Sequence, residues 1–66
     1  MELDKSKLDH LIEHWVEHNE SHSKSFSEWA AKIEAAGYKE IAEDIKMAAE
    51  KMNECSELLE QARNKL

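Results

Sequence analysis

Apolar residues in the first half of the chain recur with a helical period. Leu8, Ile12, Trp15, Phe26, Trp29 and Ile33, with Asn19 and His22 between them, are separated alternately by four and three residues. That alternation puts all eight on one stripe of an α-helix, with Leu8, Trp15, His22 and Trp29 at heptad position d and Ile12, Asn19, Phe26 and Ile33 at a. The second half repeats it. Tyr38, Ile45, Met52, Leu59 and Leu66 fall at a, and Ile41, Ala48, Cys55 and Ala62 at d. The period-two alternation of a half-buried strand is absent.

The chain's punctuation fits two helices. Asp4 or Ser6 can cap the first, and Ser6 with Asp9 resembles a capping box with a shortened acid. Gly37, the only glycine in a chain without proline, stands where the first stripe ends, as a C′ glycine would. Arg63 and Lys65 lie in the last turn, where cations suit the helix dipole. The prediction is an all-α antiparallel hairpin, two long helices about Gly37, forming a single domain over residues 1–66. Ser21, Ser23, Ser25 and Ser27 interrupt the first stripe, and Ser25 with Glu28 could cap a new start. The alternative is therefore a three-helix bundle broken near residues 21–25. The heptad phase runs through the serines without slipping, which favours one long helix.

A pivot at Gly37 predicts facing residues whose numbers sum to about 74. Phe26 then meets Ala48, Ile12 meets Ala62, and one polar layer gathers Asn19, His22, Cys55 and Met52. Leu11, Val16, Ala30, Ala42, Ala49 and Leu58 widen the apolar stripe beyond what one partner helix covers. A homodimer in the form of a four-helix bundle is the expected assembly.

Composition narrows the functional classes. Sixty-six residues bury little apolar surface, so a core this small calls for a staple or a partner. Cys55 is the only cysteine, so no disulfide forms within the chain; the lone thiol and the lack of a signal peptide lead to an expected cytoplasmic location. The net charge of −6 opposes nucleic acid and anionic lipid as partners. No apolar run approaches the roughly 20 residues of a membrane span.

The sharpest chemical feature is His10, His14, His18 and His22, at a constant spacing of four. On a helix this places adjacent imidazoles side by side, one turn apart, in the geometry of a two-histidine metal site. The set spirals from solvent at His10 toward the stripe at His22. His18 and His22 are the best placed ligands, with His14 and Cys55 next; Met52 offers a thioether, and Glu17 or Asn19 an oxygen. Imidazole with thiolate suits nickel, zinc, cobalt or copper. Plainer roles stand beside these: His10 and His14 as solvated surface, Asn19 with His22 as a register-fixing polar layer, Cys55 as a small hydrophobe, and Trp15 and Trp29 as core anchors. Catalysis has little support, because a His–Cys pair without a demonstrable orienting acid is a weak dyad, no oxyanion donors are evident and no phosphate-cradling glycines exist. The expectation is no enzyme and no organic cofactor.

The stretch His14-Trp15-Val16-Glu17-His18-Asn19-Glu20-Ser21-His22, followed by Phe26-Ser27-Glu28-Trp29-Ala30, resembles a small helical domain of archaea and bacteria. Its pattern is HW-x-EHN-x-x-H, then F-x-x-WA, a glycine and an acidic second helix, and it covers most of the chain. The resemblance implies a domain that stands alone or is attached to nickel-binding proteins of the CooT type, accessory proteins of carbon monoxide dehydrogenase. It raises nickel among the metals and a metalloprotein among the partners. The matching positions are His14, His18, Asn19 and His22; His10 and Cys55 lie outside the pattern.

Two functional expectations follow. The first is a small transition-metal-binding protein, nickel favoured, with His14, His18, His22 and Cys55 as ligands drawn from one or two protomers. The second is a metal-free interaction or dimerisation module whose Asn19, His22 and Cys55 layer fixes helix register. A further reading makes that layer pH-sensitive, since protonated seam histidines would loosen it.

Overall fold

The structure is a computed structural model that describes residues 3–66. It consists of helix α1, Lys5–Ala35, and helix α2, Lys39–Arg63, packed along their length as a hairpin. No strand occurs among the described residues. The 31 residues of α1 account for the longest dimension of a body measuring 50 × 16 × 15 Å. The serine stretch does not break α1, so the three-helix alternative is set aside. Residues 21–27 contain neither glycine nor proline, and serine costs a helix interior only a few tenths of a kcal/mol, about 0.5. Ser23 is in fact buried against the other helix.

Local chemistry sets both ends of α1. Asp4 caps the first turn, its Oδ1 accepting from the Lys7 backbone N–H at 2.9 Å. At the other end Gly37 adopts φ +100°. The Gly37 N–H donates to the Glu34 carbonyl at 3.0 Å and the Tyr38 N–H to the Ile33 carbonyl at 3.2 Å. These are the two bonds of a Schellman cap, which satisfies carbonyls the helix leaves free and turns the chain back on itself. Tyr38 begins α2 without a side-chain cap, and Glu40 supplies the acidic residue of the first turn.

The contact between the helices is rotated from the expected one. Its buried residues are Ile12, Val16, Ser23 and Ala30 on α1, and Ala42, Ala49 and Ser56 on α2. The a positions Asn19, Phe26, Ile33, Ile45, Met52 and Leu59 are half-buried, as a seam predicts. The d positions are displaced by one residue: Val16 replaces Trp15, Ser23 replaces His22, Ala30 replaces Trp29, Ala42 replaces Ile41, Ala49 replaces Ala48 and Ser56 replaces Cys55. The register shifts as well. Ser23 Oγ donates to the Ala49 carbonyl at 3.2 Å and Arg63 binds Asp9, so the level pairs sum to 72. Ala30 then lies level with Ala42, and Val16 with Ser56. The expected sum of 74 survives at one place, the Asn19–Cys55 pair at the margin of the seam.

The physical reason is the size of the side chains. Interaxial distance follows the residues at the contact. Ala and Ser repeating every seven residues let the two backbones approach closely, whereas a tryptophan in the seam would hold them apart. The large d residues are therefore left outside. Trp15 and Trp29 are 45% and 55% exposed, and Ile41, Leu58 and Leu11 are exposed with them. The Ser56 hydroxyl is buried in the seam without a hydrogen-bond partner.

Candidate functional site

Two different edges flank the seam. One is charged. Arg63 reaches Asp9 (Nε to Oδ1, 2.7 Å), Glu13 (3.3 Å) and Glu60 (3.5 Å), and Lys46 pairs with Glu34 at 2.6 Å. The hydrogen bond from Arg63 holds the Asp9 carboxyl below its ordinary 3.8 and raises the guanidinium in return. Lys46 likewise lowers Glu34 and is itself raised.

The other edge is apolar and carries the histidines. Leu8, Trp15, His22 and Trp29 project from α1 at steps of seven, and Ile41, Ala48, Cys55 and Ala62 from α2. The same face bears Leu11 and His18 farther out on α1, and Leu58 on α2. An open groove of about 410 Å³ crosses it, lined by His14, Trp15, His18, Asn19, Cys55 and Leu59. At its floor Asn19 Nδ2 donates to Cys55 Sγ at 3.5 Å.

Three histidines form a ladder along this face. The ring centroids of His14 and His18 are 6.2 Å apart, and those of His18 and His22 are 4.5 Å apart. His22 lies 5.8 Å from the Phe26 ring. The closest approach is between His18 Nε2 and His22 Nε2, at 2.8 Å. One imidazole must donate and the other accept there, so the two nitrogens face each other. In a tetrahedral metal site two imidazole nitrogens sit about 3.3 Å apart, given metal–nitrogen bonds of roughly 2.0–2.1 Å.

The structure thus brings together much of the predicted ligand set. His14, His18 and Cys55 share one groove, and His22 pairs with His18. His10 stands outside the groove. Among the described residues, however, no group of three or more His, Cys, Asp or Glu is arranged to hold a metal ion. The predicted polar layer is also relocated. His22 and Cys55 are exposed, Asn19 is half-buried between them, and the buried polar side chains of the seam are Ser23 and Ser56. The heptad pattern counts Ser23 only as an interruption of the first stripe and gives Ser56 no place in the core. Their signal was present in the seven-residue repeats Ser23–Ala30 and Ala42–Ala49–Ser56, which the larger d residues outweighed.

Fold and groove together define a capped all-α helical hairpin with one charged edge and one apolar, histidine-bearing face. The chain belongs to the family described as Domain of unknown function (DUF8180), whose profile matches residues 8–66 and so takes in nearly all of both helices. No curated protein and no solved structure matches the chain. No described helix is long and apolar enough to cross a membrane.

Proposed function

We propose that this protein is a small association module that pairs with a second copy of itself through the Trp15–Trp29 face, forming a four-helix bundle. The observation that carries this reading is the exposure of that face. A folded chain of 7.7 kDa has an accessible surface of about 4,300 Å². This hairpin exposes 5257 Å², an excess of about 900 Å². A stable interface takes about 800 Å² from each partner, so the excess matches what one partner would remove. The radius of gyration of 15.4 Å, against about 11 Å for a compact chain of this length, states the same deficit in shape.

The sequence stripe supports the same reading. A helix in a bundle has two neighbours and presents three apolar positions per heptad. The hairpin uses two of them, the a line and the Val16–Ser23–Ala30 line. The third line, Leu8, Trp15, His22 and Trp29, faces outward with Ile41, Ala48, Cys55 and Ala62. The 3-4 stripe read from the sequence is centred between these two directions, as it would be in a four-helix core. Sedimentation equilibrium at about 100 μM should give a dimer, and Trp29→Glu should give a monomer of unchanged helicity. A monomeric wild-type chain would refute the proposal.

A second reading, transition-metal binding, is favoured by the convergence of His18 Nε2 and His22 Nε2 at 2.8 Å. Two imidazoles alone hold a metal weakly, so useful affinity requires ligands from another chain. Nickel, zinc, cobalt and copper all accept such nitrogen donors. Calorimetric titration, with His18→Gln/His22→Gln as control, tests it; no binding tighter than about 100 μM would reject it.

A further inference from the structure

We infer that the dimer completes a metal site in trans, with His18 and His22 of one protomer joined by Cys55 of the other. The inference rests on the self-association reading. It follows from which two-fold arrangement the apolar face permits.

Two hairpins can stack face to face about a two-fold axis in two ways. If the axis lies across the hairpin, α1 packs on the partner's α1 and α2 on the partner's α2. The large residues Trp15 and Trp29 then oppose each other's helix, the smaller line Ile41, Ala48, Cys55 and Ala62 opposes itself, and Lys51, close to mid-length on the exposed side of α2, meets its own copy. Bulk is crowded on one side, space is left on the other, and like charges are opposed. If the axis instead runs along the hairpin, α1 packs on the partner's α2. The Trp15–Trp29 line then meets the smaller line Ile41, Ala48, Cys55 and Ala62, with Trp15 nearest Cys55 and Trp29 nearest Ile41, and Lys51 no longer faces itself. Size and charge both select the second arrangement.

An axis along the hairpin keeps every residue at its own height. Heights follow from the level pairs Ser23–Ala49 and Asp9–Arg63, whose numbers sum to 72. On that scale Cys55 lies level with residue 17 of α1, within one residue of His18. In the bundle the Cys55 line points from the partner's α2 toward α1, and His18 lies on the side of α1 that meets it. The thiol so placed supplies the third ligand that a single chain lacks. Symmetry generates two such sites per dimer.

The chemistry is coherent. The Nε2 atoms of His18 and His22 already face each other at 2.8 Å. On metal binding the donor imidazole shifts its proton to Nδ1, and the Cys55 thiol releases its proton to solvent and binds as thiolate. Two imidazoles and one thiolate, with water in a fourth position, suit a divalent ion of zinc type. Asn19 Nδ2, which donates to Cys55 Sγ of its own chain at 3.5 Å, can keep that bond and support the thiolate.

Cobalt(II) is the probe, because thiolate ligation gives a charge-transfer band in the near ultraviolet. The wild-type dimer should bind it with that band. Cys55→Ser and His18→Gln/His22→Gln should each remain dimeric and each lose the band. Mixing the two variants should restore it to about half the wild-type amplitude per chain in the heterodimer fraction, since one intact site then forms from two defective chains. No restoration on mixing, with wild type showing the band, places the thiol and imidazoles in one chain and overturns the inference. A wild-type dimer without the band overturns it while leaving self-association intact. A monomeric wild type overturns both.

Discussion

Leucine placed at Ala49 and, separately, at Ala48 tests the rotated seam directly. The two alanines are adjacent on α2 and identical in chemistry. Ala49 is 4% exposed and its carbonyl receives the Ser23 hydroxyl, whereas Ala48 is exposed. Leucine at 49 drives three extra carbons into a contact that is close because its residues are small. Overpacking of this kind costs about 1–3 kcal/mol. For a chain of this size each kcal/mol shifts the melting temperature by about 4–8 °C. Ala49→Leu should therefore melt about 5–20 °C below the parent, while Ala48→Leu should stay within about 0.5 kcal/mol of it, as for an exposed position. The assay is thermal melting by circular dichroism over a dilution series. Association depends on concentration and the intrachain seam does not, so the dilute limit isolates the seam. A larger loss at Ala48 than at Ala49 would restore the heptad seam read from the sequence and refute the rotation.

Three other outcomes are expected. Ser56→Ala should leave stability unchanged or raise it by about 1 kcal/mol, because it removes a buried hydroxyl without a partner; Ser23→Ala should instead lower it by about 1 kcal/mol through loss of its bond to Ala49, and denaturant melts compare the two. Gly37→Ala should cost about 1–2 kcal/mol, since the left-handed φ of +100° strains any Cβ although nothing lies within 4 Å of it, so the deficit should appear in chemical melts without a change in helicity. Stability should be level at neutral pH and fall at both extremes. Asp9 and Glu34 have lowered folded values, so their contribution is present above the ordinary 3.8 and 4.5 and is lost as pH falls through the depressed values. Lys46 has a raised value, so its contribution is present below 10.5 and is lost as pH rises past the folded value. A pH series of denaturant melts checks both limbs, and a Lys46→Met/Arg63→Met variant should flatten the acid limb.

The sequence by itself determined the two helices, the start of the first at Asp4 or Ser6 and its end at Gly37, their antiparallel return and the a line of the seam. These follow from local chemistry: 3.6-residue periodicity, a capping carboxylate, and one glycine where a left-handed residue closes the helix. It also placed His14, His18, His22 and Cys55 near one another, because spacing of four on one helix and a common stripe on the other are local facts. Tertiary structure alone decided which side of the stripe closes. Ranking by hydrophobicity put Trp15, Trp29 and Ile41 inside. Packing put Ala30, Ala42 and Ala49 there instead, because two backbones lie closest where side chains are smallest. That choice turned Ser23 and Ser56 inward and His22 and Cys55 outward. The polar layer that looked like an internal register lock became the margin of an open face, with His22 and Cys55 exposed on it.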